Sequence, residues 1–150
     1  MIAIVRLRRF PSSTSLAGSS FTGCWALTTA GAVQCRVAAA NSSVLVSRCA
    51  FAGNRALNGH AGALDLWDFV NGTHDWTIAD SSFTGNGAHQ GAGAVRLASS
   101  GTQLSNGRQT RVLRCTFAGN SADQGGALRL SLPIAADSNW TFADCVFTQN

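Results

Sequence analysis

The sequence predicts an all-β solenoid, a right-handed parallel β-helix of four full turns and the start of a fifth. Three observations predict it. The 150 residues repeat with a spacing of 30 to 34, the apolar period within each repeat is two, and no repeat carries an amphipathic helical pattern.

The repeat is read on Phe21, Phe51, Phe83, Phe117 and Phe147, spaced by 30, 32, 34 and 30 residues. Two residues on stand Gly23, Gly53, Gly85, Gly119 and Gln149, and three on stand Cys24, Asn54, Asn86, Asn120 and Asn150. Five on come Ala26, Ala56, Ala88 and Ala122. Five before the Phe column stand Leu16, Val46, Ile78, Val112 and Phe142, and seven before it Thr14, Val44, Trp76, Thr110 and Trp140. A second apolar motif follows at Gly31-Ala32-Val33, Gly62-Ala63-Leu64, Gly93-Ala94-Val95 and Gly126-Ala127-Leu128. Two residues beyond each comes Cys35, Leu66, Leu97 or Leu130.

Each turn is expected to hold three short strands. In the third repeat they are marked by Trp76 and Ile78, by Ser81 and Phe83, and by Ala94, Val95 and Leu97, with breaks at Gly and Asn. Turns stack about 4.8 Å apart, so each column becomes a ladder. Each buried Phe then contributes roughly 1.5–3 kcal/mol, with about 0.5–1.5 kcal/mol more from ring contact. The Asn column is expected at a corner, because Asn tolerates a left-handed backbone and stacked amides bond along a ladder. The Gly before it permits a tight bend, and the Ala column is small because the corner is crowded.

From the position seven before Phe to the Leu column, the units span 22, 23, 22 and 21 residues. The remainder varies: 36–43, 67–75, 98–109 and 131–139. Loops that vary on one side of a repeat mark one face of a solenoid.

Composition narrows the function classes. Hydrophobic residues make up 45%, so a core is expected rather than disorder. The net charge of +4 is spread along the chain apart from Arg6, Arg8 and Arg9, so no nucleic-acid footprint is expected. The opening MIAIVRLRRF has an apolar run too short for a signal peptide and ahead of its charges. No stretch reaches the roughly 18 apolar residues of a membrane helix. The expected division is 1–13 as an N-terminal segment, in which Ile2, Ile4 and Val5 cover part of the first rung, and 14–150 as the repeat domain. The expected G-A-[LV] strand does not arrive after Asn150, so the reading is a domain truncated at its C-terminus that stacks end to end with further repeats.

The pairing of F-x-x-N with G-G-A-[ILV], as in Phe117–Asn120 and Gly126–Leu128, resembles the repeats of the chlamydial polymorphic outer-membrane proteins. It also resembles the wider right-handed β-helix class of pectate-lyase-like architecture. The resemblance runs from Thr14 to Asn150, with Cys24 standing where the motif has Asn and Gly125-Gly126 as the one intact G-G pair. It implies a surface or extracellular location and a passenger domain used in adhesion.

The candidate chemistry is sparse. The five Cys form no C-x-x-C, so zinc is not expected. Cys49, Ser81, Cys115 and Cys145 share the position two before Phe, Cys35 joins the Leu column, and all are expected as packed thiols. Arg48, Asp80, Arg114 and Asp144 stand three before Phe and are expected as an outward ladder of alternating charge. His60, His74 and His89 fall in different columns; His74-Asp75 is placed in a loop beside Asp65 and Asp68. All seven acidic residues are Asp, and no acidic cluster spans adjacent rungs as glycoside chemistry requires. Asn41, Asn71 and Asn139 open glycosylation acceptor patterns.

These readings favour a non-enzymatic scaffold of a surface or extracellular protein, adhesin-like, with no cofactor and no metal. Its loops 36–43, 67–75, 98–109 and 131–139 would meet carbohydrate or a cell-surface protein. The alternatives are a polysaccharide lyase or glycoside hydrolase on the same fold, and a structural stalk.

Overall fold

The computed structural model describes residues 5–8, 13–38, 40–69, 73–99, 109–131 and 138–150. These form a parallel β-helix of about four turns, with no helix among the described residues. The first turn holds β2 (Ser13–Ala17), β3 (Ser20–Thr22), β4 (Trp25–Ala26) and β5 (Val33–Val37), and β1 (Val5–Arg8) precedes it. The second holds β6 (Ser42–Ser47), β7 (Ala50–Ala52), β8 (Arg55–Ala56) and β9 (Leu64–Asp68). The third holds β10 (His74–Ala79), β11 (Ser82–Thr84), β12 (Gly87–Ala88) and β13 (Val95–Ser99). Then come β14 (Gln109–Leu113), β15 (Thr116–Ala118) and β16 (Leu128–Ser131), followed by β17 (Asn139–Ala143) and β18 (Val146–Thr148).

Like strands stack into sheets in the orders β1-β5-β9-β13-β16, β17-β14-β10-β6-β2, β18-β15-β11-β7-β3 and β12-β8-β4. Every pairing is parallel, and the register matches the sequence columns: Phe83 pairs with Phe51 and Phe117, Ile78 with Val46 and Val112, and Leu97 with Leu66 and Leu130. The two-residue strands β4, β8 and β12 are a fourth element in each of the first three turns that the sequence reading did not contain. They carry too few residues for a period of two to show.

Alternation turns one face of each strand inward. Val44, Val46, Phe51, Leu64, Leu66, Trp76, Ile78, Phe83, Val95, Leu97 and Phe117 form one continuous buried core. The Phe rings stack at centroid distances of 5.0, 4.8, 4.9 and 4.8 Å, one ring per turn. On the last rung Phe142, Val146 and Phe147 stand exposed. In 1–13, β1 adds a rung beside β5, while Ile2 and Ile4 lie outside the described residues.

The corner after the Phe strand differs from the expectation in one respect. The left-handed residue is not Asn but the one before it: φ is +62° at Gly23, +61° at Gly53, +62° at Gly85 and Gly119, and +53° at Gln149. That bend turns the Asn side chain into the coil, where Asn54, Asn86 and Asn120 are buried. The Asn86 amide is saturated. Asn86 Oδ1 accepts from Asn54 N at 3.0 Å and Asn54 Nδ2 at 2.9 Å, while Asn86 Nδ2 donates to Phe51 O at 3.0 Å and Asn120 Oδ1 at 2.9 Å. Asn120 repeats the pattern to Asn150, and Cys24 N begins it by donating to Asn54 Oδ1.

The Gly of G-A-[VL] has a separate cause. A Cβ added to Gly62 would lie 2.0 Å from the Gly93 carbonyl oxygen, and one added to Gly31 2.1 Å from that of Gly62. Backbone rests directly on backbone there, so only Gly fits.

Candidate functional site

With the interior filled, chemistry is left to the outward positions. The connections that vary in sequence are narrower than expected: Arg36 and Val37 belong to β5, Trp67 and Asp68 to β9, Ala98 and Ser99 to β13, and Ser131 to β16. At the other end, Ser42 and Ser43, His74 and Asp75, Gln109, and Asn139 begin the strands that follow. Strand pairing absorbed these ends because a ladder needs only backbone, whatever the side chain. What remains lies at 38–41, 69–73, 100–108 and 132–138, always between a strand of the β5-β9-β13-β16 sheet and the first strand of the next turn. Of these, 39, 70–72, 100–108 and 132–137 lie outside the described residues.

The Arg48, Asp80, Arg114 and Asp144 column occupies the other corner, ahead of the Phe strand. All four are exposed. Arg48, Asp80 and Arg114 border a groove of about 530 Å³ that runs across four rungs and is also lined by Ser20, Ser82 and Thr116. Arg114 grips Asp80 in a bidentate pair, Nε to Oδ1 at 2.6 Å and Nη2 to Oδ2 at 2.9 Å. The hydrogen bonds from Arg114 hold the Asp80 carboxyl below the usual carboxylate range, and the Arg48 charge adds to the effect. Asp80 in turn raises the Arg114 guanidinium, with Asp144 adding to it. Asp80 is therefore a fixed anion with both neighbouring rungs cationic, suited to charge recognition and not to donating a proton.

The backbone at this corner is left-handed throughout: φ is +58° at Gly18, +52° at Arg48 and Asp80, +51° at Arg114 and +55° at Asp144. Residues with a Cβ resist that conformation by roughly 1–2 kcal/mol each. The letters alone do not show it, because Arg is not a residue expected there, although Asp is tolerated.

A second charged column was missed. Gln34, Asp65 and Arg96 are register partners on the face of their sheet opposite the core, yet all three are buried. Arg96 binds Asp65 through Nε at 2.7 Å and Nη2 at 3.0 Å, and Gln34 Nε2 donates to Asp65 Oδ2 at 3.2 Å. The Arg96 guanidinium lies 5.3 Å from the Trp67 ring, and Arg36 lies 5.1 Å from the rings of Trp67 and Phe69. Opposite charges one rung apart, directly after the Val/Leu of the G-A motif, were the available signal.

The histidines do not converge. His74 is not in a loop: it is the first residue of β10, buried, with Nδ1 3.1 Å from Ser42 Oγ. Asp65 is committed to Arg96, and Asp68 accepts from Ser99 Oγ. His60 is pulled below its usual pKa by burial first and by Arg96 next. His89 is exposed beside Arg55, Ser121 and Asp123 at a notch of about 310 Å³ over Gly87. Among the described residues no three His, Cys or Asp side chains gather as a metal site.

All five cysteines are free thiols. Cys49, Cys115 and Cys145 each donate to carbonyls of their own and the preceding turn, as from Cys115 to Leu113 O and Ile78 O. Burial pushes Cys35 and Cys115 up to about 11, which keeps them protonated and unreactive at neutral pH. Of the acceptor asparagines, Asn41 is exposed and its Oδ1 accepts from Thr73 Oγ1 at 2.7 Å. Asn139 is exposed at the start of β17, and Asn71 lies outside the described residues.

Comparison with known proteins finds no matching family model, no matching curated protein and no matching solved structure. The assignment to the parallel β-helix class therefore stands on the strand register of this chain itself, rung paired with rung through β1 to β18.

Proposed function

We propose that the chain is a non-enzymatic β-helix scaffold of a surface or extracellular protein, adhesin-like, whose inter-turn connections form the contact face. One observation carries the reading: side chains stop repeating at and around the connections that leave the β5-β9-β13-β16 sheet, while the frame between them repeats rung by rung. A scaffold of that kind changes its ligand without changing its core. The ligand class is a glycan or a cell-surface protein. Along its axis the scaffold stacks on further repeats, and a plain stalk would use the same stacking with silent loops.

The groove at Arg48, Asp80 and Arg114 favours one rival, a lyase or hydrolase acting on acidic glycan. Against it, Asp80 is already neutralised by Arg114, and the next carboxylate of the column, Asp144, lies beyond Arg114.

Binding to a glycan array and to cultured cells tests the reading. Replacing 69–73 with a Gly-Ser segment of equal length should abolish binding and leave the thermal melt in place. Unsaturated products from polygalacturonate, lost on Asp80→Asn, would overturn the scaffold reading in favour of the enzyme.

A further inference from the structure

Arg48, Asp80, Arg114 and Asp144 alternate in sign along one exposed stripe, one charge per rung. Each holds a left-handed backbone that glycine takes without strain, and Gly18 does so in the same column on the first rung. Space does not explain the choice, since a Cβ built at Gly18 meets nothing within 4 Å. Nor does stability, because the one pair formed within the stripe, Asp80–Arg114, is exposed on both sides and exposed pairs contribute little. Arg48 and Asp144, the two ends of the stripe, have no ion-pair partner among the described residues.

A stripe ordered plus, minus, plus, minus is its own complement when reversed. We propose that it is the contact by which two copies of this chain pair side by side and antiparallel, about a two-fold axis between the Asp80 and Arg114 rungs. Arg48 of each copy then meets Asp144 of the other, and the two Asp80–Arg114 pairs close into a square of alternating charge. Such an interface is isologous: one patch serves both partners. Next to the stripe the outward residues of β7, β11 and β15 are small: Ala50 and Ala52, Ser82 and Thr84, Thr116 and Ala118. Nothing bulky on these strands holds two copies apart.

The contact is small. Four rungs at about 4.8 Å, with a three-residue strand at about 3.3 Å per residue plus its corner, cover about 250 Å² per copy. Stable complexes bury about 800 Å² per partner, so the pair forms at high concentration and low salt. This inference is independent of the scaffold reading, which concerns the connections at the other end of β6, β10, β14 and β17.

Sedimentation equilibrium up to about 1 mM protein tests it. The unaltered chain should form dimers whose dissociation constant rises at least about tenfold when salt goes from about 0.02 to 0.5 M. Arg48→Asp, and separately Asp144→Arg, should each weaken pairing by at least about tenfold, because like charges then oppose across the two-fold. The double variant R48D/D144R restores every match and should return to within about threefold of the starting affinity. A monomer at all concentrations in low salt overturns the proposal. So does association that ignores both salt and the single reversals, which assigns the contact to another surface. The salt arm uses the unaltered chain, so it decides even if a variant misfolds.

Discussion

Asn86→Ala is the sharpest probe of what holds the turns in register. The side chain is buried and makes four hydrogen bonds, two accepted from Asn54 and two donated, to Phe51 O and to Asn120 Oδ1. Truncation orphans the Asn54 backbone N–H and removes one acceptor from Asn54 Nδ2, which still donates to Phe21 O. Phe51 O loses a donor, and Asn120 Oδ1 keeps only Asn86 N at 3.0 Å. At about 1–3 kcal/mol for each buried group left without a partner, the expected loss is about 3–5 kcal/mol. That is a large part of the roughly 5–15 kcal/mol that holds an ordinary domain. Asn86→Asp has nearly the same shape but no amide N–H, so it sets oxygen against Phe51 O and Asn120 Oδ1 and buries a charge. At neutral pH it should lose more than the Ala variant. The folded pKa of that Asp would sit above its unfolded value near 3.9, so the variant is least destabilised below that value and loses stability as pH rises above it. Urea melts followed by far-UV circular dichroism at pH 4 and pH 7 read both effects. A loss under about 1 kcal/mol for Asn86→Ala, or an Asp variant stabler than the Ala variant at pH 7, would refute the amide ladder as a stabilising element.

Three further outcomes are expected. Phe83→Ala should cost about 3–5 kcal/mol in the same melts through a cavity between two stacked rings, and a loss under about 1 kcal/mol would remove Phe83 from the core. Gly62→Ala should cost about 3 kcal/mol or more, because the new Cβ meets the Gly93 carbonyl oxygen, whereas Gly85→Ala meets open space and should lose about 1–2 kcal/mol to its left-handed backbone alone; equal losses would contradict the stacking contact. The chain has no Lys and no Tyr, so the thiols dominate side-chain titration between pH 9 and 11. Cys35 and Cys115 keep their protons up to about 11 when folded against 9.0 ordinarily, so stability should fall as pH rises through that window and level off above it. A flat stability profile from pH 8 to 11 would contradict their burial.

The core was legible because a solenoid writes each interior position once per turn. One Phe in a single sequence says little, but five at spacings of 30 to 34 fix a column, and columns fix the register found in the sheets. The short strands β4, β8 and β12 were not legible, since two residues carry no period. Loop bounds were placed too wide for a related reason. Side chains stop repeating at Trp67 and Ala98, yet their backbones continue the ladder and pair with each other. The Asp65–Arg96 pair is faint in the sequence because its column repeats neither residue type nor sign: Gln34, Asp65, Arg96 and Arg129 run neutral, minus, plus, plus.

The two corners show most clearly where sequence loses the thread. Both need φ near +50° to +60°, and both leave room for a Cβ at their glycines, at Gly18 on one side and Gly53, Gly85 and Gly119 on the other. The second corner fills that requirement with Gly on four rungs of five, so its conformation is visible in the letters, although it was assigned one residue late, to Asn. The Asn side chain needs that bend to reach the interior, and its own backbone is not left-handed. The first corner meets the same requirement with Arg, Asp, Arg and Asp. A residue that strains its backbone is chosen for its side chain, and these side chains point to solvent. What they gain lies outside a single turn, in the sign of the charge one rung away and, by the inference above, in a second copy.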